Sequence, residues 1–362
     1  MAYPKSRLAI SCIAIVALAH YAQASSRVNN QFGNVASYQN EVLKWAFVYE
    51  NGCKKQYDVY RDARIPDQIG HEKAFLLLDC LLDKTPEGYK ADMASTGIVL
   101  GLLPALLTRV GPTLAETSLL ALRRPVLAFL LGLGSPSINT GFGELYGNPM
   151  QALATRPRVN PRPWRCAHPL AKVAISLGEY LVAAAAVSNV LYTAYRLTYS
   201  AICWSAIALY ITGVPETSIV FIWAALVPTS HALGCLWRRY RVVHNMVPPP
   251  SSHSPPIESA QKGVFCSAVL WRYLSEEATP SVYGKPLRAM QRSPGYVLVL
   301  IEHALSLFSL VHVIMGTVIL STVLFLELSV AVQIVAQILC GSICSRLVLQ
   351  YELNGTRHVY SA

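Results

Sequence analysis

Apolar and polar stretches alternate along the chain on a scale of about twenty residues, far longer than the period of a strand or of one helix face. Apolar runs cover 94–110, 173–192, 218–236, 296–324 and 330–349, with basic, prolyl and seryl segments between them. Runs of that length let a helix bury its self-satisfied backbone in hydrocarbon, so the pattern predicts an all-α, polytopic membrane protein of four to five spans. Asp92 and Arg109 bracket the first run, along which Gly97, Gly101 and Ala105 recur every four residues and leave one face bare enough for close helix packing. A shorter apolar stretch, Leu197 to Ile211, reads as an outer-leaflet or re-entrant segment, because a crossing there would send Arg238, Arg239 and Arg241 outward.

After the first run, Thr113 and Glu116 stand at capping-box spacing and predict a helix beginning at Leu114. Arg123, Arg124 and Pro125 interrupt it, and the apolar piece that follows is too short to cross before Gly134-Ser135-Pro136 ends it. Two arginines at the bilayer centre are costly, so the expectation is a helix in the cytoplasmic interface, completing a 91–136 unit, with both arginines at the headgroups. The loop 137–172 adds Arg156, Arg158, Arg162 and Arg165 among prolines, suited to an anionic lipid surface. A second loop, 238–295, opens with a Pro/Ser-rich linker from Pro248 to Pro256. Together 109–172 and 238–292 hold sixteen basic residues against five acidic ones, which places both loops inside.

At the start of the chain, Lys5 and Arg7 precede a short apolar core, Leu8 to Ala19, and Ala22-Gln23-Ala24 supplies small residues for cleavage, so 1–24 reads as a signal peptide. Residues 25–90 are polar and read as a small lumenal or extracellular ectodomain, with a helix over Ala74 to Leu82. So small a domain gains little from burial alone, and Cys53 and Cys80 in an oxidising compartment are expected to pair, worth roughly 3–4 kcal/mol in the chain-entropy model.

Composition narrows the class without naming an activity. With 53% hydrophobic and 14% charged residues and a mean hydropathy of +0.37, the chain is too apolar for an ordinary soluble domain. Its net charge of +10 sits beside the spans, where anionic headgroups are the natural partner, and one tryptophan, Trp164, among the loop arginines makes no stacking platform for nucleic acid.

Ala91-Asp92-Met93, Glu116, Arg123-Arg124-Pro125, Gly134-Ser135-Pro136 and the closing Ile343 to Leu353 (ICSRLVLQYEL) are similar to a family of uncharacterised multi-pass membrane proteins of filamentous fungi. The resemblance implies a fungal membrane protein and brings no substrate or catalytic residue, while the signal peptide points to the plasma membrane or an endomembrane through the secretory pathway.

The polar residues inside the spans are the candidates for chemistry. Glu179, His231, Glu302 and His303 all fall about 10 Å from the cytoplasmic ends of their spans at 1.5 Å per residue, and so define a candidate polar layer. Such a layer either relays a proton or holds a small cation, or hydrogen-bonds helix to helix. No HExxH, GxSxG, P-loop or CxxC arrangement is present, so no enzyme, cofactor or metal is expected. Cys340 and Cys344, one turn apart, supply two ligands at most, and Cys166 and Cys235 lie at membrane ends where acylation occurs. Asn354 opens a glycosylation sequon that a fifth span, followed by a 350–362 tail, leaves inside. The functional expectation is a non-enzymatic interaction or scaffold protein, with a small-ion or proton-coupled transporter as the rival.

Overall fold

The computed structural model describes residues 52–62, 68–139, 169–197, 202–203, 219–244, 274–283 and 296–360. The signal peptide, Arg156, Arg158, Arg162, Arg165, Cys166 and most of the 197–211 segment lie outside them, as does the side chain of Glu302. The described chain is almost wholly helical: α1 Lys54–Asp62, α2 Gln68–Lys84, α3 Glu87–Val110, α4 Leu114–Leu120, α5 Pro125–Leu133, α6 Pro169–Tyr195, α7 Ile219–His244, α8 Tyr296–Ser321 and α9 Leu328–Tyr360. Two short strands, β1 Ile202–Cys203 and β2 Val323–Leu324, pair antiparallel. Within α3, α6, α7, α8 and α9 lie segments of 24, 26, 18, 19 and 28 residues that are long and apolar enough to cross a membrane. The fold is therefore that of a polytopic helical membrane protein, with the fifth candidate span present as a helix.

Contacts divide the chain into two compact units, and each is described by itself. In the unit formed by Met1–Leu102, Ala194–Trp223 and Gly316–Gln333, Cys53 and Cys80 form a disulfide that ties the start of α1 to α2. The stripe of small residues on α3 meets the end of α8 at two of its three positions. A side chain at Gly97 would meet the Ser321 carbonyl at 2.6 Å and one at Gly101 the Ser321 Cβ at 3.1 Å, so the end of α8 packs on bare backbone. Ala105 is exposed and takes no part. The turn from α8 into α9 carries Phe325 at φ 58°, a left-handed conformation that costs a bulky residue, yet its ring is buried. Its N–H points at Met93 Sδ (3.1 Å), and Asp92 Oδ2 accepts the Leu328 N–H (3.1 Å) at the start of α9. An α3 carboxylate thus caps a helix far away in sequence, where the positive end of the helix dipole favours it.

In the unit formed by Leu103–Thr193, Ala224–Met315 and Ile334–Ala362, α4 and α5 make a helical hairpin. Its first helix begins where the capping box requires: Thr113 Oγ1 accepts the Glu116 N–H (3.2 Å) and Glu116 Oε2 accepts the Thr113 N–H (2.9 Å). The ends of the hairpin are closed on each other, since the Leu114 N–H donates to the Asn139 carbonyl (2.7 Å) while Asn139 Nδ2 donates to the Thr108 carbonyl (2.7 Å). Leu120, Leu127 and Leu131 of the hairpin pack with Ala183 of α6 and Leu349 and Leu353 of α9. An interfacial helix would leave one face to lipid. Apart from Val126, however, no residue from Gly111 to Ile138 is exposed, so the expected interfacial helix is corrected to a hairpin enclosed by protein. Its non-helical break tolerates this position because neighbouring segments satisfy the freed backbone groups.

Candidate functional site: a buried arginine cluster at a helix break

Arg124 is the residue just before Pro125, which cannot continue α4 because its ring removes a backbone donor and disfavours a helical residue before it. The break aims the guanidinium into protein, not toward headgroups, and Arg124 is 0% exposed. That corrects the lipid-surface reading for both arginines: Arg123 is buried too, and its NH1 donates to the Ser281 carbonyl (3.1 Å). The reason is that internal acceptors replace water. Arg124 NH1 pairs with Glu179 of α6 and with Glu352 Oε1 of α9 (3.0 Å), NH2 donates to Ser176 Oγ (2.8 Å), and Nε donates to the Glu277 carbonyl (2.9 Å). The face of Tyr180 covers the guanidinium with its ring centroid 5.4 Å away. Burial works against the charge, but Glu352 and Glu179 outweigh it and hold Arg124 firmly cationic.

The carboxylates are supplied unequally. Glu352 is 0% exposed, and its two oxygens both accept the Ser281 N–H (3.2 Å each) while Oε2 also accepts the Ser281 hydroxyl (2.5 Å). Glu179, 6% exposed, gives Oε2 to Arg124, whereas its Oε1 is buried without a hydrogen-bond partner. Glu277, from the helical turn at 274–277, sits at the half-buried edge and accepts the Leu127 N–H (3.0 Å) and the Tyr180 hydroxyl (2.7 Å) through Oε1. It thereby caps the first turn of α5. Burial pushes its carboxyl above the ordinary range, with Tyr180 and Leu127 pulling only partly back.

The three described members of the expected polar layer, Glu179, His231 and His303, do not assemble into one. Glu179 belongs to the arginine cluster. His231 of α7 serves the hairpin elsewhere: its Nδ1 shares a hydrogen bond with Thr117 Oγ1 (2.8 Å), its Nε2 faces the Ser137 carbonyl (3.4 Å), and Gly132 is bare where a side chain would strike the ring at 3.0 Å. With the proton on Nε2, both contacts are satisfied by a neutral imidazole. His303 is exposed on α8, one turn from the half-buried Leu305 and Ser306, and no described residue brings it to Glu179. Cys340 is exposed and Cys344 half-buried on α9. Asn354, which opens the sequon, is half-buried within α9, because that helix continues through the expected tail to Tyr360.

Glu352, Glu277 and Ser281 were not expected in a site. Glu352 falls in the expected tail, although Leu349 and Leu353 continue a helical four-residue spacing through it. Glu277 and Ser281 carried no sequence signal. Chemically, the cluster offers one fixed cation, two buried carboxyls and one free carboxyl oxygen. Comparison with known protein families, with curated proteins and with solved structures gives no match. The class defined by fold and site is thus an integral multi-pass helical membrane protein with an intramembrane-type ion cluster at a helix break.

Proposed function

We propose that the protein is a non-enzymatic membrane interaction protein of a fungal secretory or plasma-membrane system, in which the arginine cluster fixes the hairpin against its neighbouring segments. The observation that carries this reading is Arg124, whose three nitrogens are all engaged by Glu179, Glu352, Ser176 and Glu277. A guanidinium with four of its five donors engaged inside the protein acts as a cross-link between segments. The disulfide-closed helices α1 and α2 form the outer contact surface in this reading, and the basic loops meet an anionic inner leaflet. A small-ion or proton-coupled transporter is the second reading, favoured by the partnerless Glu179 Oε1.

Full-length protein in liposomes, with a pH-sensitive dye inside and an imposed proton gradient, separates the two. The interaction reading expects wild type and Glu179→Gln to be indistinguishable from empty liposomes. Flux in the wild type that Glu179→Gln abolishes overturns it and installs the transporter.

A further inference from the structure

The unequal supply of donors to the two carboxyls has a chemical consequence. Around Glu352 stand the Ser281 N–H, the Ser281 hydroxyl and Arg124, an ideal setting for an ionised carboxylate. Glu179 shares the same guanidinium nitrogen and has a bare buried oxygen. Two ionised carboxylates beside one guanidinium leave a net negative charge in a low-dielectric interior, which is strongly disfavoured. At Glu179 no second cation among the described residues relieves it. From α6, Ser176 and Tyr180 face the cluster; from 274–283, Glu277, Ser281 and Tyr283; from α9, Tyr351. None of these is a cation. Two further cations stand nearby, Lys172 over the Tyr283 ring (4.6 Å) and Arg123 on the Ser281 carbonyl, and neither bonds to Glu179, whose one ionic partner among the described residues is Arg124.

We propose that the cluster is a proton-binding site, in which Glu179 carries one exchangeable proton on Oε1 and donates it to the ionised Glu352. Binding forms one O–H bond on Oε1 with a proton taken from water, release breaks it and returns the proton to water, and no electrons move. The Glu179 hydroxyl then satisfies the bare Oε1, and Arg124 and Glu352 are left as one balanced pair. This goes beyond the interaction reading and holds whether or not protons cross the membrane.

The test is infrared spectroscopy of the full-length protein in nanodiscs at neutral pH. The wild-type spectrum minus that of Glu179→Gln shows one protonated-carboxyl stretch that moves down in D₂O. The band is also lost in Glu352→Gln, because Glu179 is then the sole counter-ion of Arg124 and ionises. Absence of the band from the first difference spectrum, or its survival in Glu352→Gln, overturns the proposal. So does a thermal midpoint raised by sodium or potassium, relative to choline, in wild type but not in Glu179→Gln, which makes the occupant an adventitious or functional metal cation instead of a proton. Should a glutamine variant not fold, Glu179→Asp keeps the carboxyl but shortens its reach, and must shift the band; an unshifted band places the proton elsewhere and defeats the assignment.

Discussion

Helices α5 and α8 are both apolar, yet they meet opposite environments. Along α8, Leu300, Leu307, Leu310, Val311 and Ile314 are exposed, as the lipid-facing side of a span must be. Along α5, Leu127, Ala128 and Leu131 are fully buried and Val126 is the one exposed residue. Hydrophobicity therefore does not distinguish a lipid-facing segment from an enclosed one here. The charged residue at the end does, because Arg124 is stable only where internal acceptors take its donors, and it carries α5 in with it.

The sharpest way to break this contrast is to remove the anchor. Arg124→Met keeps the bulk and takes away the charge, leaving Glu179 and Glu352 buried side by side. The expected loss is about 3–5 kcal/mol, the usual result of orphaning one partner of a buried ion pair. It is read as a lower unfolding midpoint in detergent and new protease access to the hairpin. A Tm equal to wild type shows that packing alone encloses α5.

A smaller effect comes from challenging the packing directly. A side chain at Gly134 would meet the Ala186 Cβ at 2.8 Å and Ser345 Oγ at 3.0 Å, so Gly134→Ala should cost about 1–3 kcal/mol by overpacking. Leu307→Ala on the exposed face of α8 should stay within about 0.5 kcal/mol. Denaturant titration of the two variants side by side checks the pair, and equal losses erase the distinction between the enclosed and the lipid-facing helix.

The same contrast explains what was legible in the sequence. Length and hydropathy predicted the spans, because a bilayer imposes its thickness on every crossing whatever the neighbours. The capping box at Thr113 and the break at Pro125 were also legible, since both act through residues close in sequence. The fate of Arg124 was not. Whether an arginine goes to headgroups or to protein depends on Glu179, Glu352 and the Glu277 carbonyl, all more than fifty residues away in sequence, and no local rule contains them. Glu352 is hidden for a related reason, because its helix continues beyond the end of the apolar run. His231 was recognised as a buried polar residue, but its work at Thr117 and Ser137 is set by the hairpin fold.

The mildest test of the contrast concerns Glu277, which meets α5 from outside the spans. Its carboxyl accepts the Leu127 N–H and so stabilises the first turn of the enclosed helix. Burial nevertheless holds its proton more tightly than an unfolded chain does, against the weaker pull of Tyr180, Leu127 and Arg124. Between the ordinary carboxylate range and that raised value, the folded protein binds more protons than the unfolded one, so stability declines as pH rises through this window. Glu277→Gln retains an oxygen for Leu127 and cannot titrate. Its unfolding midpoint should therefore vary less with pH than that of the wild type across the window. A variant slope as steep as the wild-type slope assigns the dependence to other groups and leaves Glu277 as a cap alone.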